Sequence, residues 1–580
     1  MTGTTRTWPA PPNREGVNWR ALILAAVMIV LFWQVIVPFG MIVWTSLKTT
    51  RPGDPEFLTL SLSLSNYRRA LGDPGFWTTA RNTLVFALAS TLFAFIPGAF
   101  VAWVVERTNA PFARLIGLIL TARVVIPGVL ITISWILLAS PRIGILNFVW
   151  RDLFGVVNFF NVYSMSGMIF VHALEMAPLA FLLLSAAFQS MDPRLEEAAI
   201  MAGAGTFGAL RRVTLPLATP AVGAALLLLF ITSIETFEVP LLMGGRAGVR
   251  VLASEIFLST SRTPVDWGLA SACAMAMVAL TIFLLFLYLR LLRHGERYQT
   301  VSGKDFRPRR VDLGPWRAPV SALSLLIVFF ITGAPLLVMV YASLLPAWQP
   351  PSMAYFSMMT LANYEALFRN SSALTPLLNS TLLGVGSASV IVLLAALIAW
   401  FTQKSRLRGR RILDFVAFAS IALPSVVLGA TFLWLYLIVP LPVIGTLTII
   451  GLAYVTKYLP YALRFVTTSM TQLHSELEEA AHMAGAPWWR TFATITLPLL
   501  KPGLLAAWFW VMVHAYRELT IALMLARSQN RTAAVLILDL WEQGSFLRLS
   551  AFGVVIFTVL LVLVGLSHAI GQRIGVREQA

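Results

Sequence analysis

Long apolar runs separated by short polar stretches set the pattern of this chain. Runs near residues 21–45, 82–105, 116–140, 163–189, 221–244 and 268–290 are followed by a second set near 319–345, 380–402, 412–438, 443–470, 503–527 and 549–571. A helix of about 18 or more apolar residues crosses a hydrocarbon core of roughly 30 Å. The pattern therefore predicts an all-α polytopic membrane protein with about twelve spans. A closed β-barrel would alternate apolar and polar positions over short segments of about ten residues instead. The first run is longer than a removable signal segment and lacks a small-residue cleavage site, so it is expected to stay as a span.

Composition agrees with this reading. The 580 residues are 58% hydrophobic and 12% charged, against roughly 25% charged in soluble domains, and the mean hydropathy is +0.79. Lys and Arg favour cytoplasmic loops. They gather at the N-terminus (Arg6, Arg14, Arg20), between Arg290 and Arg317, in "TQKSRLRGRR" and near the C-terminus (Arg573, Arg577). With twelve spans, all of these fall on the cytoplasmic side, both termini included. The net charge of +17 then reads as membrane orientation. No separate basic soluble domain points to nucleic acid. The lone Cys273 excludes an intrachain disulfide and is no metal site by itself, and no spacing of His, Cys or carboxylates suggests metal ligands.

The chain also repeats itself. Pro38 recurs as Pro335, 297 positions on (335 − 38), and Asn66-Tyr67, Trp103 and Pro127 recur at the same offset as Asn363-Tyr364, Trp400 and Pro424. From Pro178/Pro460 onward the offset is 282 (460 − 178), and it holds for Glu197/Glu479, Gly203/Gly485 and Pro216/Pro498. Two homologous six-span halves, 1–290 and 319–580, are expected. They should share one orientation and be related by an axis along the membrane normal. A cytoplasmic Arg-rich linker, 291–318, should join them as a tether with little structure of its own. The first half should carry extra residues between its third and fourth spans.

Within this frame the polar string "LEEAAIMAGA" (Leu195–Ala204) returns as "LEEAAHMAGA" (Leu477–Ala486), each in the cytoplasmic loop after a fourth span. Asp192 with Pro193 starts one helix, and the box "SELE" from Ser475 starts the other. Glu196, Glu197, Glu478 and Glu479 lie in the first turn, where the helix dipole favours negative charge. Small Ala198, Ala199, Ala480 and Ala481 allow close approach of another surface. Gly203 and Gly485 stop the helices, and a second short helix runs on to Pro216 or Pro498.

These two stretches, "EEAAIMAGAGTFGALRRVTLPLATP" and "EEAAHMAGAPWWRTFATITLPLLKP", resemble the EAA loop of binding-protein-dependent ABC importer permeases. The resemblance covers both halves and implies the type I ABC importer (MetI-like) permease fold in a bacterial inner membrane. It further implies two ATPase subunits, each receiving one loop's coupling helix, and a periplasmic substrate-binding protein. Glu196, Glu197, Ala198, Ala199, Gly203, Glu478, Glu479, Ala480, Ala481 and Gly485 would couple to the ATPase. Two loops on one chain resemble the fused permeases of the ferric-iron class, whose relatives carry thiamine, aminoethylphosphonate or polyamines. ATP and Mg would bind the partner subunits, with no cofactor and no catalysis on this chain. The chain lacks a phosphate-binding G-x-x-x-x-G-K-[ST], and its "SGKD" at Ser302 does not supply one.

An ion-coupled secondary transporter is the competing class. It would need intramembrane ionisable groups, and the chain has His172, Glu175, Glu235, Glu238, Lys457, His514, Arg517 and Glu518. Paired ATPase-docking loops argue against it. The 282 offset places Glu175 on Lys457 and Glu235 on Arg517, so the halves carry opposite charges at equivalent positions. Either these pair across the axis along a translocation path also lined by Glu238 and Glu518, or each snorkels to water from a helix end.

Overall fold

A computed structural model describes residues 19–189, 198–199, 201–205, 208, 210–295, 311–369, 371–405, 409–474 and 476–573. Among these the chain is helical, with one isolated bridge between Thr108 and Val311. The first half runs through α1 (Ala21–Ser46), α2 (Pro74–Arg107), α3 (Ala113–Arg123), α4 (Gly128–Ala139), α5 (Met165–Gln189), α6 (Leu215–Glu235) and α7 (Trp267–Gly295). The second runs through α8 (Gly314–Ser343), α9 (Ser371–Gln403), α10 (Arg410–Ala419), α11 (Ser425–Ile438), α12 (Leu447–Thr471), α13 (Lys501–Arg517) and α14 (Phe546–Arg573).

Among the described residues eight helices are long and apolar enough to cross a membrane, or up to 11 if each of three bent pairs is one span. Helix α12 has 25 residues, like its counterpart α5. It is more polar, carrying Lys457 and Arg464, and although it stands where the fourth span of the second half is expected, it is not among the helices apolar enough to count.

The third span of each half is not one straight helix. Helices α3 and α4 meet at 107°, as do the Arg410–Ala422 segment and α11. The reason is local. Proline disfavours the helical conformation in the residue before it, and Pro127 and Pro424 stand at the two breaks with extended ψ values of 135° and 146°. Gly128 and Ser425, which follow the prolines, therefore begin new helices inside the protein.

The duplication reaches individual hydrogen bonds. Asn66 Nδ2 donates to the carbonyls of Ser46 (3.1 Å) and Lys48 (2.7 Å), and Asn363 Nδ2 donates to those of Ser343 (3.0 Å) and Leu345 (2.8 Å). The hydroxyls of Tyr67 and Tyr364 each reach the serine that ends the first span, Ser46 (2.7 Å) or Ser343 (2.8 Å). The paired Asn-Tyr of the sequence thus folds the chain back beneath each first span.

Each first span packs on the last span of its own half, α7 or α14, and also crosses to the other half. Helix α1 packs on α10, α11 and α12, while α8 packs on α3, α4 and α5. Pro38 and Pro335 have no N–H to offer the carbonyl four residues back. Those carbonyls, of Gln34 and Ile331, sit in π-helical turns repeated in register, Phe32–Ile36 and Phe329–Gly333. Each receives a side chain from the other half. Thr456 Oγ1 donates to Gln34 O at 3.0 Å, and Arg123 Nε donates to Ile331 O at 3.4 Å.

Residues 296–310 of the expected linker lie outside the described residues. Its far end is tied down: Val311 N donates to Arg107 O at 2.7 Å, and Asn109 Nδ2 to Asp312 Oδ1 at 2.7 Å. The extra first-half residues fold into a helix, Ile145–Phe154, whose Trp150 stacks on Phe159 at 4.5 Å.

Candidate functional site

Two places gather the polar groups singled out in the sequence. The first is the pair of short helices on the loops after α5 and α12. Glu196 and Glu197 lie outside the described residues, but Ala198 and Ala199 are helical, and the second copy forms Glu476–Met483 with Glu478, Glu479, Ala480 and Ala481 inside it. Both copies end alike. Ala202 N bonds Ala198 O and Ala204 N bonds Ala199 O, and Ala484 N and Ala486 N do the same to Ala480 O and Ala481 O, all at 3.0 Å. Gly203 and Gly485 take the left-handed conformation at φ 88° and 80°, which glycine adopts without steric cost.

Two residues here escaped the sequence reading. Met201 is 88% exposed and Met483 89% exposed, at equivalent positions 282 apart. Their signal was present: an apolar residue repeated inside an otherwise small and polar string. The second unit is also braced. Trp488 packs between Trp400 and Phe401 at the end of α9 and stacks on Phe492, and Glu478 Oε1 accepts a bond from Thr496 Oγ1 at 2.8 Å.

The second place is a cavity of about 320 Å³ at the breaks of the third spans and the ends of α6 and α13. Arg123 ends α3, Gly128 and Ser425 begin α4 and α11, Glu235 ends α6, and Arg517 ends α13. With Glu175, Glu238, Tyr458, His514 and Glu518 they form its wall. The intramembrane charges expected along a path are therefore brought together in the interior.

The pairing differs from the expected one. Lys457 does not meet Glu175; its Nζ lies 2.9 Å from Glu235 Oε2, with the side chains 9% and 18% exposed. Glu175 Oε2 is instead 3.4 Å from His172 Nδ1, one turn earlier on α5. His172 also reaches Ser233 Oγ at 3.2 Å and Thr236 Oγ1 at 3.1 Å. Equivalent positions do not face each other across the axis. The middle of one half's fourth span faces the end of the other half's fifth span. The symmetry mate of Lys457–Glu235 is thus Glu175 with Arg517, and these two are electrostatic neighbours.

Glu518 is fully engaged: Tyr458 OH donates to its Oε2 at 2.7 Å and Ile521 N to its Oε1 at 3.1 Å. Beside it, His514 stacks on Trp510 at 3.7 Å and directs Nδ1 to Trp510 O at 2.8 Å.

Comparison with known proteins adds the following. The profile of a family described as "binding-protein-dependent transport system inner membrane component" matches residues 98–294 and again 391–574. A ferric transport system permease protein of Actinobacillus pleuropneumoniae is 28% identical over 70% of this chain, and a putative one of Haemophilus influenzae is 28% identical over 64%. The chain spans 58% of the length of each of these relatives. A probable ABC transporter permease of Sinorhizobium fredii is 25% identical over 79% of this chain and 81% of its own length. A solved bacterial ABC transporter that imports alginate overlaps 49% of this chain at 18% identity with a TM-score of 0.40.

Proposed function

The chain belongs to the family of binding-protein-dependent transport system inner membrane components, and from that premise we propose that it is the permease subunit of an ABC importer for ferric iron. The observation that carries the importer reading is the pair of short helices that end alike and present Met201 and Met483 at equivalent positions. An exposed methionine beside small alanines suits insertion into a cleft on another protein, because its unbranched side chain adapts to the surface it meets.

On this reading each helix docks on one of two ATPase subunits, and ATP and Mg bind there. The permease catalyses no reaction and supplies no cofactor site. A periplasmic binding protein delivers the solute, and both termini lie in the cytoplasm. Closure of the ATPase pair displaces the two helices. The second passes its movement through Trp488 into the end of α9, where Trp400 and Phe401 grip it. Because α1 and α8 cross to the opposite halves, neither half moves free of the other, and rocking of the halves opens the central cavity to one side at a time. The iron assignment is supported by the names of the ferric relatives and by the carboxylates on the cavity wall.

Proteoliposomes holding the permease, its ATPase and its binding protein test the reading. Uptake of ferric iron should require all three together with ATP on the cytoplasmic side, and thiamine, aminoethylphosphonate and polyamines should not compete. Uptake driven by an ion gradient without ATP would count against an importer, and competition by one of those solutes would reassign the cargo.

A further inference from the structure

The two diagonals of the central cavity are related by the internal symmetry, yet only one is closed. Lys457 and Glu235 meet at 2.9 Å. On the other, Glu175 and Arg517 attract each other but form no ion pair within 4 Å among the described residues, and the cavity lies at that diagonal.

The groups around the open diagonal are charged and incompletely bonded. Arg123 is 2% exposed, and among the described residues its Nη2 has no hydrogen-bond partner; Nε of Arg517 has none either. Both residues line the cavity. Facing the same space, the carboxylates of Glu175 and Glu238 lie over Gly128, where a Cβ would strike both. Helices α4 and α11, of 12 and 14 residues, open their N-termini onto the cavity at Gly128 and Ser425, adding backbone N–H groups and partial positive charge.

Glu235 is neutralised by Lys457, and Glu518 is bonded by Tyr458 and Ile521. Beside the bonded Glu518, what remains facing the space is two guanidiniums and two carboxylates. A bare cation would be drawn to the carboxylates but would leave the guanidinium N–H groups unanswered. A bare anion would meet the reverse. A ligand carrying both signs satisfies both sets, and guanidiniums bind the planar or tetrahedral oxygens of carboxylate and phosphate groups especially well.

We propose that the open diagonal is a dipolar solute site, in which Arg123 and Arg517 hold an oxyanion group and Glu175 and Glu238 face the positive centre joined to it. The ligand class is a metal–oxyanion complex or a zwitterion. The proposal rests on the importer reading in taking the cavity as part of the solute path, and it adds that a ferric ion would pass with an oxyanion ligand attached.

The full chain in a phosphate-free detergent tests this without partner subunits. Its thermal unfolding, followed by circular dichroism, is measured against ferric citrate, 2-aminoethylphosphonate, sodium citrate and inorganic phosphate at constant ionic strength. Ferric citrate or 2-aminoethylphosphonate should raise the midpoint saturably, and which of them does so separates the metal complex from the zwitterion. Arg123→Gln and Arg517→Gln should each weaken that effect by roughly tenfold or more, the loss expected for a charge-assisted bond, while Arg548→Gln, outside the cavity, leaves it unchanged. Should a glutamine variant fail to fold, Arg517→Lys keeps the charge, loses the planar fork and should still weaken the effect. No saturable shift with either probe, an equal shift with phosphate alone, or a shift untouched by every cavity variant would overturn the site. Coupled uptake is scored separately: uptake without binding counts against the site alone, and binding without ATP-driven uptake against the importer reading alone.

Discussion

Lys457 and Glu235 close on each other at 2.9 Å across the two halves, and Glu175 turns to His172 instead. Removing one member of such a pair leaves a buried charge without a partner. Lys457→Met should therefore cost about 3–5 kcal/mol, read as a lowered unfolding midpoint of the purified chain. The double exchange Glu235→Lys with Lys457→Glu restores one charge of each sign and should recover most of that loss. Glu175→Lys with Lys457→Glu should recover none; a full recovery there would mean that Glu175 is the partner of Lys457. Opposite charges at equivalent positions were legible from the repeat offset alone. Their partners were not, because an offset says which residues correspond and nothing about which spans face each other. The two exposed methionines were legible too, as a shared letter in a repeated string, but their meaning rests on exposure, which sequence does not give.

At the scale of elements, most spans followed from apolar length, and the ends of the polar-loop helices from Gly203 and Gly485; the expected starts at Asp192, Pro193 and Ser475 lie outside the described residues. The breaks in the third spans were marked by Pro127 and Pro424, yet a run of apolar residues on both sides hides a turn of 107°. Hydrophobic length cannot distinguish one straight helix from two that meet inside a protein. The bracing of the second coupling unit was hidden in the same way, since Trp488 is separated from Trp400 by 88 positions (488 − 400). Trp488→Ala should empty the nest formed with Trp400, Phe401 and Phe492. Truncating a buried aromatic costs about 3–5 kcal/mol, here concentrated in one loop. The expected result is a complex that still assembles and hydrolyses ATP but transports several-fold less per ATP consumed. An unchanged ratio of transport to hydrolysis would show that Trp488 does not carry the movement.

Across the whole molecule, the crossing of α1 and α8 joins the halves more firmly than a tether does. Each first span is tied to the opposite half through the carbonyl four residues before its proline, which accepts a side chain from that half. A chain cut between Gly303 and Lys304 should therefore assemble from its two co-expressed fragments, with the loss limited to effective concentration, and the fragments should copurify through a tag on either one. Two well-expressed fragments that never associate would mean that the joining segment itself holds the halves together.

The central claim is that both polar loops dock on a motor and transmit its stroke. Gly203 and Gly485 permit a direct test, since a Cβ at either would meet nothing within 4 Å and the cost lies in their left-handed backbone. That cost is about 1 kcal/mol each, too little to unfold the chain, while a long side chain projects at the surface meant for the ATPase. The measurement is ATP-dependent solute uptake by the Gly203→Arg, Gly485→Arg double variant, reconstituted with its ATPase and binding protein beside a check of its unfolding midpoint. The account predicts a folded chain with uptake abolished. A folded chain with uptake at the unaltered level would contradict it.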